Sequence, residues 1–127
     1  MTVPPWLNAV IADFGHAAGV SKFALNASGA AALNFANGFS LRFEYTGDEL
    51  VVAMTFGVPR GSAAIRRLLA LANPRRTGAL GLRAGIVAKN GLAVAAARIP
   101  EREVTLPIVN MAFDMLWRAA QEIGGAA

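Results

Sequence analysis

The sequence contains no cysteine and a single histidine, His16. Without thiols there are no disulfides, no thiolate metal ligands and no cysteine nucleophile. One imidazole cannot build a histidine-based zinc site and leaves a Ser-His-Asp machine improbable. Charge is also scarce: 16% of residues are charged against 55% hydrophobic. Such a chain has enough apolar surface to offset the entropy of ordering, which excludes intrinsic disorder. Long apolar runs are missing as well, since none approaches the roughly 20 residues of a membrane helix, and the hydrophobic fraction is swollen by 27 alanines. Met1 to Asp13 carries neither Lys nor Arg, so the basic start of a secretory signal is absent. These absences predict a cytoplasmic protein with no membrane span, and they argue against an enzyme before any motif is read.

A chain of 127 residues suits one domain, residues 1–127, with no linker, repeat or low-complexity stretch to divide it. Its net charge of +4 is unevenly spread. Between Leu50 and Pro100 lie Arg60, Arg66, Arg67, Arg75, Arg76, Arg83, Lys89 and Arg98 with no acidic residue, leaving the remainder net acidic. A local basic field attracts nucleic acid, an acidic protein or an anionic surface alike.

Hydrophobic spacing supplies the elements. Leu7, Val10, Ile11, Phe14 and Ala18 fall on one helical face, started by Pro4-Pro5 and stopped by Gly19. From Ala31 to Phe56 the period becomes two: Phe39, Leu41, Phe43 and Tyr45 alternate with Ser40, Arg42 and Glu44. Asn37-Gly38 and Thr46-Gly47-Asp48-Glu49 punctuate three consecutive antiparallel strands, around Leu33 and Phe35, over Phe39–Tyr45, and over Leu50–Phe56. Ser62 caps a helix with Ile65, Leu68, Leu69 and Ala72 on one face, ended by Asn73-Pro74. Leu80–Ala88 and Leu92–Ile99 form a hairpin about Lys89-Asn90-Gly91, and Thr105 caps a final amphipathic helix over Leu106–Glu122. The order α-β-β-β-α-β-β-α implies an α+β domain, a twisted antiparallel sheet covered by helices.

Little in this order carries chemistry. Asp13 and His16 are three residues apart on the first helix, but no nucleophile or second base accompanies them. Gly78, Gly81 and Gly85 superficially match a phosphate loop. They run into a strand rather than a helix start, and no Lys-Ser or Lys-Thr follows. The eight carboxylates are scattered. No cofactor, no metal and no catalytic residue is expected. Three amphipathic helices and five apolar strands, however, offer more apolar surface than a monomer of this size hides. The Ser62–Ala72 helix, broadened by Leu71, is the leading candidate for a subunit contact, the alternative being that its leucines fill the monomer core.

The element order, and the stretch Ala72-Asn73-Pro74-Arg75-Arg76-Thr77-Gly78-Ala79-Leu80-Gly81-Leu82-Arg83-Ala84-Gly85, resemble class I type III secretion chaperones, the CesT-like group of small bacterial proteins. Gly78-Ala79-Leu80, Leu82-Arg83-Ala84-Gly85 and the Val104-Thr105-Leu106-Pro107 entry to the last helix, with Ala112-Phe113, resemble its SycN branch. The likeness implies a dimeric, non-enzymatic, cytoplasmic protein that keeps a segment of a secreted effector extended and export-competent. The SycN branch further implies association with a second, different small chaperone, with a homodimer or a heterodimer both open, and a cargo acting as a secretion gatekeeper. Members of the group are usually acidic, whereas this chain is basic and rich in alanine.

On this reading Val10, Phe14, Leu33, Phe35, Leu41 and Phe43 form the cargo groove, with core packing the competing role for each. Ile65, Leu68, Leu69, Leu82 and Ile86 form the dimer interface. A small basic nucleic-acid-binding regulator is the alternative function. The basic stretch favours it, and the lack of aromatic rings beyond Phe56 for stacking on bases speaks against it.

Overall fold

The computed structural model describes residues 2–57, 83–87 and 92–123. Helix α1 (Pro5–Ala17) is followed by strands β1 (Ala30–Asn34), β2 (Ser40–Tyr45), β3 (Glu49–Gly57), β4 (Arg83–Val87) and β5 (Leu92–Pro100). A 3-10 turn, Glu101–Glu103, then leads into helix α2 (Leu106–Ile123). The elements follow the expected order. The expected Ser62–Ala72 helix and the Lys89-Asn90-Gly91 turn lie outside the described residues.

Both ends of α1 follow from local chemistry. Pro5 occupies the first helical position, where its missing N–H has no partner to lose. At the other end Gly19 takes a φ of 83°, its N–H donates to the His16 carbonyl, and the Val20 N–H reaches back to the Gly15 carbonyl at 2.8 Å. This is the paired hydrogen-bond stop that a left-handed glycine permits. For α2, the Thr105 hydroxyl accepts from the Ile108 N–H at 3.3 Å, satisfying one orphan donor of the first turn.

The five strands form one antiparallel sheet in the order β1-β2-β3-β5-β4. Leu41, Phe43 and Tyr45 on β2, Leu50, Val52, Met54 and Phe56 on β3, and Ala93, Ala95, Ala97 and Ile99 on β5 all point to one buried face. Helix α2 packs over β3 and β5, with α1 beside it. The three β5 alanines lie under the helix layer, where longer side chains would hold α2 off the sheet. The alanine-rich composition therefore has a packing role. Gly15 is buried against Phe23, and a Cβ there would land on that residue, whose ring carbons would lie 2.9 Å away. This close approach fixes the turn after α1 against the core.

The strand limits differ slightly from the sequence reading. Glu49 belongs to β3 rather than to the preceding turn, its carbonyl accepting from the Thr46 N–H at 3.0 Å. Phe35 lies just beyond β1, where its N–H donates to Phe39 and closes a loop of residues 36–38 with Gly38 at a φ of 92°. Gly85, one of the three phosphate-loop glycines, sits within β4 opposite Val94, as a strand residue.

Tyr45 fastens the end of β2 to the approach to α2. Its hydroxyl lies 2.9 Å from Glu101 Oε1 and 3.1 Å from the Gly47 carbonyl, sharing its one proton between these acceptors. Burial pushes its pKa above the ordinary 10.0, and the hydrogen bond and negative charge of Glu101, then Asp48, push the same way. The folded chain thus holds this proton more tightly than the unfolded chain does. The contribution is complete below pH about 10, the unfolded value, and is lost as pH rises through the folded value. Tyr45 is the only tyrosine, so phenolate absorbance reports it directly. Its titration midpoint is expected above that of the urea-unfolded chain, and the alkaline fall in urea midpoint should be shallower in Tyr45→Phe. A midpoint equal in both states would show that the contact to Glu101 does not persist in solution.

Candidate functional site

Helices α1 and α2 do not close completely over the sheet. Where α1 ends, Phe14, Ala17 and Ala18 face Asn110, Phe113 and Asp114 of α2 across an open hollow of about 320 Å³. The small side chains of Ala17 and Ala18 create the space. Phe14 and Phe113 form its apolar floor, their rings edge-to-face at 5.3 Å. The exposed carboxylate of Asp114 stands at the rim.

The hollow continues toward the β1 end of the described sheet through aromatic contacts. Phe113 lies 6.0 Å from Phe35 at the tip of the β1–β2 hairpin, and Phe35 meets the edge of Trp117 at 5.0 Å. Phe39, just before β2 on the other side of the hairpin tip, packs on Trp117, also at 5.0 Å. Each such pair contributes about 0.5–1.5 kcal/mol beyond the area it buries. The hairpin tip is thereby held against α2, and a half-buried aromatic path runs from the hollow to β1.

The six residues of the expected groove divide by their position in the sheet. Val10, Leu33 and Phe35 are half-buried, packed on the rim of the core and still open to contact. Leu41 and Phe43 are 0% exposed and Phe14 is 4% exposed. Leu41 and Phe43 are thus core residues, a correction to the sequence reading. They lie on β2, an inner strand flanked by β1 and β3, and Phe43 is covered by Phe14 and Phe23 at 5.3 and 5.9 Å. Phe14 belongs mainly to the core and offers only an edge to the hollow. Sequence reasoning names Phe113 only with Ala112 in the last helix and Ala18 only on the apolar face of the first helix, and it does not name Ala17, Asn110, Asp114 or Trp117. The available signal was the four-residue spacing of Phe113 and Trp117, which puts two aromatic rings on one flank of α2.

Of the expected dimer residues, Ile65, Leu68, Leu69 and Leu82 lie outside the described residues. Ile86 lies on β4 opposite Ala93, at the far end of the sheet from β1. Trp6 and Met111 are the large hydrophobic residues most exposed among those described, at 44% and 56%. Trp6 is four residues before Val10 and shares its flank of α1. Arg98, one of the eight basic residues of the central stretch, pairs with Glu49 at 3.1 Å. Among the described residues there is no cluster suited to a metal ion, and no helix is long and apolar enough to cross a membrane.

Solved structures share this architecture. The fold is similar to the ExsC–ExsE complex at a TM-score of 0.75, with 19% identity and coverage of 95% of this chain and 92% of that one. It is also similar to the Yersinia pestis type III secretion chaperone SycH bound to a YscM2 fragment, at a TM-score of 0.74 with 14% identity, covering 93% and 99% of the two chains. At these identities the likeness establishes the fold alone. In sequence, the chain is 31% identical over 120 residues to the chaperone protein SycN of Yersinia enterocolitica, covering 93% of this chain and 96% of that protein. SycN of Yersinia pseudotuberculosis matches to the same extent. The family model for the type III secretory system chaperone SycN matches residues 6–124. The hollow and its aromatic path therefore belong to a type III secretion chaperone and not to an enzyme: the chain is a member of the SycN family.

Proposed function

We propose that this chain is a cytoplasmic chaperone that holds an extended segment of a type III secreted protein, a gatekeeper or an effector, and keeps it competent for export. The observation that carries this reading is the continuous path Phe14–Phe113–Phe35 from the 320 Å³ hollow to the edge of β1. An extended segment can seat apolar side chains in the hollow and at Val10, Leu33 and Phe35, and add its backbone to the sheet edge. Such main-chain hydrogen bonding gives affinity with little demand on sequence, while the pockets choose the side chains. No covalent step is involved. A solved structure of similar fold supports the reading: the HopA1–SchA chaperone–effector complex, at a TM-score of 0.71 and 21% identity over 96% of this chain and 98% of that one.

The chaperone works as a dimer, with itself or with a second small chaperone, through Ile65, Leu68, Leu69, Leu82 and Ile86. Strand order makes this compatible with cargo binding. The strand that carries Ile86 and the strand next to the hollow are the two ends of the described sheet, so subunit pairing at one end leaves the other free.

The test is co-expression of the full chain with the N-terminal region of each secreted protein of its own type III system. One of these is expected to co-purify and to stay bound in high salt, since apolar contacts are little screened while phosphate-type binding weakens steeply. Ala17 is exposed at the hollow. Ala17→Trp should fill that space, leave the unfolding midpoint unchanged and weaken retention about fivefold by obstruction. Equal retention by Ala17→Trp and the parent chain would remove the hollow from the binding site. Retention of nucleic acid in place of a secreted protein would favour a basic regulator.

A further inference from the structure

We propose that the β1 edge selects an acidic residue in the strand that joins it, and that Arg42 is the residue that reads it. The inference rests on the proposed addition of an extended segment to this sheet edge, and it specifies the register and chemistry of that segment.

The hydrogen-bond pattern fixes which main-chain groups are offered. The Phe35 N–H donates to the Phe39 carbonyl, and the Tyr45 N–H donates to the Gly29 carbonyl. The pairs Ala31–Phe43 and Leu33–Leu41 lie in the same register between them. By alternation, Ala31, Leu33 and Phe35 direct their main-chain groups toward β2, while Ala30, Ala32 and Asn34 direct theirs outward. Ala30 is already occupied. Its N–H donates to Asn26 Oδ1 at 3.0 Å, and its carbonyl accepts from the Asn26 N–H at 2.8 Å. Among the described residues, no hydrogen bond outside the strand ladder involves the main-chain N–H or C=O of Ala32 or Asn34. An added strand is therefore stopped at Asn26 and centred on Ala32 and Asn34, which gives it a defined position.

Next to this position lies an open hollow of about 190 Å³, lined by Asn26, Ala30, Ala31, Ala32 and Arg42. Ala32 pairs directly with Arg42, so both side chains lie on the sheet face opposite the helices. Strands are spaced about 4.8 Å apart, so a residue opposite Ala32 on an added strand stands about 10 Å from the β2 backbone at Arg42. Alanine leaves the intervening space empty. An arginine side chain leaning across it covers most of that distance, and an aspartate or glutamate covers the rest. A guanidinium offers a planar fork suited to a carboxylate. Among the described residues Arg42 is not firmly committed elsewhere: its Nε lies 3.9 Å from Glu44 Oε2, with the two side chains 62% and 55% exposed. An exposed pair at that separation contributes little.

The experiment uses the full chain and three synthetic peptides of alternating Val and Thr that differ only in a central outward-facing Asp, Asn or Lys. Backbone amide shifts are followed by NMR. The Asp peptide is expected to shift the Ala32 and Asn34 amides and to bind about tenfold more tightly than the Asn peptide. Arg42→Gln should abolish that preference, and Arg42→Glu should transfer it to the Lys peptide. These exposed substitutions should leave the unfolding midpoint unchanged. Equal binding of the Asp and Asn peptides, or an Asp preference that survives in Arg42→Gln, overturns the proposal. So does tight binding that leaves the Ala32 and Asn34 amides unmoved, since the general attraction of a basic chain for an acidic peptide would produce it. The peptide result is independent of co-expression with secreted proteins. Charge-selective edge binding without a secreted partner would count against the chaperone reading alone, and a secreted partner retained without charge selection would count against Arg42 alone.

Discussion

Replacing Phe43 with alanine is expected to lower the unfolding free energy by about 3–5 kcal/mol, the range for removing a large aromatic side chain from a core. The ring is 0% exposed on an inner strand and meets the edges of Phe14 and Phe23 at 5.3 and 5.9 Å. Those neighbours belong to different segments, α1 and the loop after it, so collapse around the vacated space would need concerted movement of both. Small domains are stable by only about 5–15 kcal/mol, and the variant should be partly unfolded at ambient temperature. Phe35→Ala is the informative contrast. Phe35 is half-buried at a hairpin tip, and its loss should cost less than half as much. Chemical denaturation followed by circular dichroism compares the two directly. If Phe43→Ala kept the parent stability and lost only cargo, Phe43 would be a contact residue and its assignment to the core would fail.

That contrast also marks how far the sequence could be read. Alternation correctly placed Leu41 and Phe43 on the apolar face of the sheet, and helical spacing placed Leu7, Ile11 and Phe14 on the inward face of α1. Neither period can tell a covered residue from an open one. Leu33 and Leu41 are directly paired and share a face, yet the first is half-buried and the second wholly buried. The difference arises from strand order: β1 ends the sheet and β2 does not, a long-range property that local patterning does not encode. The Asn26 clamp on Ala30 was equally invisible. Asparagine in a loop signals a turn, but not that its side chain will occupy the outward N–H of a strand residue four positions on. The hollow is hidden from the sequence for a related reason: Ala17 and Ala18 line it with small side chains, and spacing, which puts Ala18 on the apolar face, does not tell a filled face from an open one.

Phe113 is where the fold and the proposed activity meet. It forms part of the hollow's floor with Phe14 at 5.3 Å, continues the path to Phe35 at 6.0 Å, and lies 5.7 Å from Trp117 on its own helix. A cargo side chain seated against it covers a ring that the free chain leaves half-open. Fully burying an apolar side chain of that size is worth about 1.5–3 kcal/mol, and a ring already half-buried gains about half of that. Phe113→Ala should therefore weaken capture of the secreted-protein segment by about 3- to 10-fold, at about 1.4 kcal/mol per factor of ten. Phe113→Leu, which keeps an apolar floor, should recover most of the loss. Since Phe113 also supports Trp117, both variants need a structural readout. In a Trp6→Phe background Trp117 is the only indole, and its emission should shift only slightly to the red if the hairpin stays docked through Phe35 and Phe39. A Phe113→Ala chain that keeps this emission and still binds its segment as tightly as the parent would show that cargo does not use the hollow, and the proposed binding path would have to be abandoned.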